Sequence, residues 1–245
     1  MRKHDDIDRI IDELKEIRLF SMAGALEDLF ASKDFDTLDR LSFLERIIEP
    51  EYEAKTNRQY VNRLKRAHLT GAPQTINSCK DSSDRHYLPA GIVETLASMD
   101  FVENGLNVCV LGPSDAGKSF LAKALGVQSC QKYRVSYNHC EQLLEEMVAL
   151  KQASYPTYHK KILYYIKLDL LILDDFLLHT ITDEREIKVL FELLEKRSEL
   201  SKSTIVCSQR EPKSWASMIL NDEVSSNAIM KRATKHYTVV IQPKS

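Results

Sequence analysis

The chain is short of the features that mark several protein classes. Its five cysteines, Cys79, Cys109, Cys130, Cys140 and Cys207, include no CxxC and no zinc-type spacing, so a metal finger or a disulfide framework is not expected. An odd count without a secretory signal points to a reducing, cytoplasmic setting. No apolar run approaches the roughly 20 residues needed to cross a bilayer. The most apolar stretch, Ile162 to Leu178, is interrupted by Lys167, Asp169, Asp174 and Asp175, so no membrane role is expected. Internal repeats and low-complexity tracts are missing too, and the net charge is only −2. A total so near zero says nothing about nucleic acid. Local patches decide that.

With 245 residues, 43% of them hydrophobic and 29% charged, the chain can bury one full core and carry a smaller appendage. Near the N-terminus, Ile7, Ile10, Ile11, Leu14 and Ile17, then Met22, Leu26, Leu29 and Phe30, recur at the period of amphipathic helices. Ser42-Phe43-Leu44-Glu45 reads as a capping box opening another helix. Pro50 is expected to break or kink it, with a further helix over residues 51–68. A polar, Gly- and Pro-bearing stretch follows. The expected organisation is a small all-helical domain over 1–69, a linker over 70–89, and a second domain over 90–245. In that second domain strands are predicted over 107–111, 135–137, 170–173, 204–207 and 237–241, alternating with helices over 118–133, 141–152 and 184–199. This implies an α/β fold with a mostly parallel sheet flanked by helices.

Chemistry concentrates at three strand ends. After the first buried strand comes Gly112-Pro113-Ser114-Asp115-Ala116-Gly117-Lys118-Ser119, a G-x-x-x-x-G-K-S run between strand and helix. Its backbone N–H groups can cradle phosphates at the positive end of the helix. Lys118 is expected to reach the β- and γ-phosphates and Ser119 to ligate Mg²⁺, with Phe120 next to them. Leu170-Leu171-Ile172-Leu173-Asp174-Asp175 ends a second buried strand. A carboxylate there needs a cation or donors, which suits Asp174 as a second Mg²⁺ ligand. Asp175 is the candidate for polarising the attacking water, a capping or ion-pairing role being the alternative. Gln209, after the strand at 204–207, is placed to meet the γ-phosphate or that water, or simply ends the strand as a surface group. ATP and Mg²⁺ are the expected cofactors.

The runs NVCVLGPSDAGKSFLAKALG, DLLILDDF, STIVCSQREPKSW and NAIMKR resemble, in order and spacing, the IstB-like and DnaC-like branch of the AAA+ ATPases. DELKEIRLFSMAGALEDLF and EYEAKTNRQYVNRLKRAHL resemble the helical domain of the IstB-like transposition helpers. The resemblance spans about Ile7 to Ile241. It implies a P-loop AAA+ core and slow, regulatory ATP hydrolysis. It also implies assembly into an ATP-dependent homo-oligomer on duplex DNA, and assistance to a partner transposase. Arg232 matches the position from which a neighbouring subunit's arginine completes the site.

The chain departs from the family pattern in three places. Asp115 stands where glycine is usual, putting a carboxylate into an anion cradle. Asn227 and Lys231 replace acidic residues of the arginine box. The tail Gln242-Pro243-Lys244-Ser245 lacks the usual arginine, and too few residues follow Arg232 for a C-terminal helical lid. A DnaC-type helicase loader, a small-metabolite kinase and a nucleotide-binding scaffold with little hydrolysis are the other readings.

Lys55, Arg58, Arg63, Lys65 and Arg66 occur without an intervening acid. They form a candidate phosphate-contacting stripe for duplex DNA, or else a solvated basic face. His139, His159, His179 and His236 show no metal-ligand spacing and read as surface or packing residues. Trp215 reads as a loop anchor.

Overall fold

A computed structural model describes residues 2–33, 35, 37–82, 85–219 and 223–243, so Lys244 and Ser245 of the tail lie outside the described residues. The chain divides into two compact units, 1–62 and 63–245.

The first unit contains α1 (Arg2–Glu16), α2 (Phe20–Ala31) and most of α3 (Arg40–Arg66). Ile7, Ile11, Ala23, Leu26, Leu29 and Ile47 form its core. The predicted apolar stripe of α1 is narrower than expected, because Ile10 and Ile17 are exposed. Two other expectations need correction. Asp39, rather than Ser42, caps α3: its Oδ1 accepts from the backbone N–H groups of Leu41 (2.9 Å) and Ser42 (3.1 Å). The helix also runs through Pro50 without a break. Proline forfeits one backbone hydrogen bond, but Ile47 and Glu51 on either side of it are buried, and burial holds the helix. The Glu51 carboxylate accepts from the N–H groups of Ser21 (2.9 Å) and Met22 (3.3 Å). It thereby satisfies donors that the first turn of α2 leaves orphaned.

The second unit is built on a six-stranded sheet in the order β1-β6-β2-β5-β4-β3. Its strands are β1 (Arg85–Leu88), β2 (Val108–Leu111), β3 (Val135–His139), β4 (Leu170–Asp174), β5 (Ser203–Ser208) and β6 (Tyr237–Pro243). All neighbours are parallel except β1 against β6. The segment expected to be a linker therefore supplies an edge strand. Four residues of mixed polarity carry no pattern of their own, and pairing with β6 is what makes them a strand.

The helices are α4 (Ile92–Ala97), α5 (Asp100–Glu103), α6 (Lys118–Ser129), α7 (Cys140–Ala153), α8 (Tyr155–Lys167), α9 (Glu184–Glu199) and α10 (Glu223–Ala233). Residues of α7, α8, α9 and α10 cluster with Cys109, Leu171, Leu173 and Val206 on one face of the sheet. On the other face α6 comes so close that a Cβ on Gly126 would stand 2.8 Å from Ile172 Cδ1. Side chains alternate along a strand, so 171 and 173 serve one layer and 172 the other. Both faces are covered, as a parallel sheet requires.

Two arginines hold this layering together. Arg63 Nη1 donates to the carbonyls of Gln131 (2.6 Å) and Cys130 (3.3 Å) at the C-terminal end of α6, where a cation meets orphaned carbonyls. Arg197 is fully buried. Its guanidinium donates to the carbonyls of Tyr165 (2.6 Å), Leu168 (3.0 Å) and Ser203, and to Thr204 Oγ1 (3.0 Å). It closes the end of α8 onto the start of β5.

Candidate nucleotide site and basic surfaces

Strands β2, β5 and β4 are adjacent and parallel. Their C-terminal ends therefore deliver the glycine-rich loop, Gln209 and the Asp174-Asp175 pair to one edge of the sheet, where ligands of open α/β folds bind. The loop leaves β2 under a steric limit. A Cβ on Gly112 would sit 2.7 Å from the Ile241 carbonyl oxygen of β6. Gly117 has φ +100 as the residue before α6, a conformation favouring glycine. Asp115 holds a left-handed φ of 59, which aspartate tolerates better than most residues.

Lys118 is buried, and its Nζ donates to the Pro113 carbonyl at 2.6 Å, inside its own loop. Burial lowers its pKa, while Cys207, Asp174, Asp175 and Asp115 push the other way. The ammonium is thus already held inside the loop that sequence spacing assigned to phosphate binding. Asp174 is 1% exposed. Its Oδ2 accepts from the Tyr137 hydroxyl and its Oδ1 from the Asp175 N–H at 3.0 Å. A buried carboxylate held by two donors suits a cation in front of it. The Ser119 hydroxyl makes no hydrogen bond among the described residues, and no group of three or more His, Cys, Asp or Glu side chains there converges on a metal position. That donor set fits Mg²⁺, which takes one or two protein oxygens and completes its shell from phosphate and water.

Asp175 turns out of the strand at φ 53, and its carboxylate lies 3.1 Å from His139 Nδ1. The neighbouring Phe176 N–H donates to the Cys207 carbonyl at 2.7 Å and pins this turn to β5. Gln209 is exposed and lines a cleft of about 530 Å³ with Gly112, Pro113 and Ile241. Trp215 secures the loop after Gln209. It is fully buried, its indole N–H donates to the Arg210 carbonyl at 3.1 Å, and its ring meets Phe176 edge-on at 5.0 Å.

Three site neighbours escaped the sequence reading. Tyr137 and His139 share one face of β3, and pairing sets His139 opposite Asp174. Alternation along β3 signals their common face, but only the inter-strand register brings them to the aspartates. His139 is therefore more than a surface histidine. Arg85 of β1 lies against the loop, since a Cβ on Gly117 would stand 2.7 Å from its Nη1, and its guanidinium faces the Phe120 ring at 6.0 Å.

Arg232 is not brought to this site. Its carbonyl accepts from the Asn107 side chain at 2.7 Å, at the N-terminal end of β2. Its guanidinium donates to Glu195 at 2.7 Å and the Ala228 carbonyl at 3.0 Å, and lies over the Phe191 ring. The full length of β2, about 13 Å at 3.3 Å per residue, separates that end from the loop. The basic stripe is also not uniform. Lys55, Arg58, Lys65 and Arg66 are exposed and form no ion pair among the described residues, while Arg63 is occupied at the end of α6.

Asp115 has a measurable consequence. Replacing Asp115 with Gly removes a non-glycine residue from left-handed backbone and a charge from the phosphate cradle. One such contact is worth about 1 kcal/mol in water, so ATP affinity is expected to rise roughly fivefold by calorimetry. An unchanged affinity would refute the repulsion.

The family described as IstB-like ATP binding protein matches residues 12–245. Over 237 residues the chain is 29% identical to the insertion sequence IS232 ATP-binding protein of Bacillus thuringiensis subsp. berliner, covering 95% of this chain and 90% of that protein. It is 31% identical over 207 residues to the insertion sequence IS1162 ATP-binding protein of Pseudomonas fluorescens, covering 81% and 84%. Among solved structures, the DnaC helicase loader superposes with a TM-score of 0.55 at 19% identity, over 71% of this chain and 99% of that one. The replication initiator DnaA bound to AMPPCP and single-stranded DNA gives 0.56 at 21%, over 70% and 50%. These structural likenesses show a shared fold. With its strand-to-helix glycine loop, paired aspartates and nearly full-length family match, the chain belongs to the IstB-like ATP binding proteins.

Proposed function

We propose that this protein is a cytoplasmic, ATP-regulated DNA-binding transposition helper that assembles on duplex DNA and assists a partner transposase with target DNA. The single observation that carries the nucleotide half is the delivery of the glycine loop, the Asp174-Asp175 pair and Gln209 to one end of the sheet by the adjacent parallel strands β2, β4 and β5. Bound Mg²⁺-ATP supplies a γ-phosphate open to in-line attack by water. The loop N–H groups and Lys118 would hold the phosphates, Ser119 and Asp174 would bind the metal, and Asp175 would accept the proton of the attacking water. Gln209 orients that water from the neighbouring strand end. Hydrolysis is slow and sets the lifetime of the assembly.

The DNA half is supported by exposed Lys55, Arg58, Lys65 and Arg66, which form no ion pair among the described residues and whose charges suit phosphate contacts without base preference. Self-association is supported by Arg232, which lies too far from its own loop to act there and suits a neighbour's site. Leu41, Leu44 and Ile48, spaced along one side of α3, are exposed as well. No described helix is long and apolar enough to cross a membrane.

Sedimentation with duplex DNA tests the whole reading. Large DNA-bound assemblies are expected with Mg²⁺-ATP and not without it. They should be lost in Arg232→Ala and kept in Glu195→Gln, which breaks the same ion pair but leaves the guanidinium. Equal loss in both variants would make Arg232 a structural residue. A protein that stays monomeric and ignores DNA in every condition would overturn the helper reading.

A further inference from the structure

A second cavity, of about 360 Å³, lies in the ATPase unit away from the nucleotide loop. Arg66, Arg134, Lys160 and Lys167 stand around it, and Leu163 and Tyr164 line it. On α8, Leu163 and Tyr164 lie three and four residues after Lys160 and four and three before Lys167, so the four share one face of that helix. The opposite face, with Tyr158, Ile162, Tyr165 and Ile166, is buried in the core. Two features are unusual together. The walls are mainly apolar, yet every charged group lining the cavity is a cation. Asp169, the carboxylate that pairs with Arg134 of the rim at 3.2 Å, is also engaged by Lys202 at 2.7 Å. Arg66, Lys160 and Lys167 form no ion pair among the described residues.

We propose that this pocket docks an acidic peptide segment of a partner protein, one apolar side chain seated on Leu163 and Tyr164 and flanking carboxylates on Arg66, Lys160 and Lys167. Charge complementarity names the rim's partner, since arginine and lysine are donors only and carboxylates acceptors only. The apolar wall separates a peptide from nucleic acid. A nucleobase buried here would bring N–H donors as well as acceptors, and apart from the Tyr164 hydroxyl the lining side chains offer nothing to accept them. Unpaired buried donors are costly. An aliphatic or aromatic side chain has no such requirement. The site shares Arg66 with the duplex reading and nothing with the nucleotide reading; Lys160, Leu163, Tyr164 and Lys167 belong to neither.

Fluorescence anisotropy of the full chain with the labelled peptide Glu-Asp-Glu-Leu-Phe-Asp-Glu-Asp tests it at physiological salt. Saturable binding is expected, weaker by about tenfold or more when the central Leu-Phe becomes Ser-Ser. A similar loss is expected in the double variant Lys160→Glu with Lys167→Glu, and in Leu163→Ser, which keeps the rim charges. Lys55→Glu with Arg58→Glu should leave peptide binding unchanged. The proposal is overturned if the Ser-Ser peptide binds equally well, which would mean diffuse attraction. It is equally overturned if oligo(dT) displaces the peptide and shows the same variant dependence, which would make the pocket a nucleic-acid site, or if no peptide binds saturably.

Discussion

Asp175→Asn is expected to lower steady-state ATP turnover by about two to four orders of magnitude, the usual contribution of a positioned general base. ATP affinity should stay within roughly threefold of the parent. The two aspartates are one residue apart but sit in different surroundings. Asp174 is enclosed and takes hydrogen bonds from the Tyr137 hydroxyl and the Asp175 N–H. Asp175 is half-exposed on a left-handed turn, with His139 against its carboxylate. The amide preserves that geometry and removes the capacity to accept a proton, so the loss should fall on kcat. A drop of less than tenfold would mean that the water is activated elsewhere and that Asp175 serves mainly to pair with His139.

Arg197→Met is expected to cost about 3–5 kcal/mol of stability, read as a lower midpoint in urea denaturation. The side chain is fully buried, and burial pushes its pKa down to about 9, which still leaves it protonated at neutral pH. Removing it strands the carbonyls of Tyr165, Leu168 and Ser203 and the Thr204 hydroxyl. Each unsatisfied buried acceptor costs about 1–3 kcal/mol, and partial relaxation keeps the total below their sum. Arg197→Lys should recover only part of the loss, because one ammonium cannot span the planar fork that serves α8 and β5 together. A cost under about 1 kcal/mol in the methionine variant would show that water or backbone rearrangement replaces the guanidinium.

Much of the ATPase unit was legible because its signals are local. A buried strand reads as an aliphatic run, and a phosphate loop as glycines and a lysine at fixed spacing. Strands β2 to β6 accordingly fall within a few residues of expectation. The misses occur where longer-range contacts decide. Residues 85–88 have no strand pattern until β6 lies beside them. Pro50 looks like a helix breaker until its buried neighbours are known. Arg63 looks like one more cation in a stripe, yet it reaches the end of a helix 67 residues away in sequence. Arg197 sits in a charged stretch, Glu195-Lys196-Arg197-Ser198-Glu199, that gives no hint of complete burial.

From the sequence alone came the phosphate loop, the aspartate pair, the α/β alternation and the family likeness, because each depends on residue type and short spacing along one chain. The tertiary structure alone decided which residues meet across strands and helices. It set Tyr137 and His139 beside the aspartates, Arg85 against the loop, Arg232 on Glu195, and the cations of α8 around an apolar pocket. Those pairings follow from sheet register and helix packing, which join residues far apart in the chain and leave no periodic trace in it.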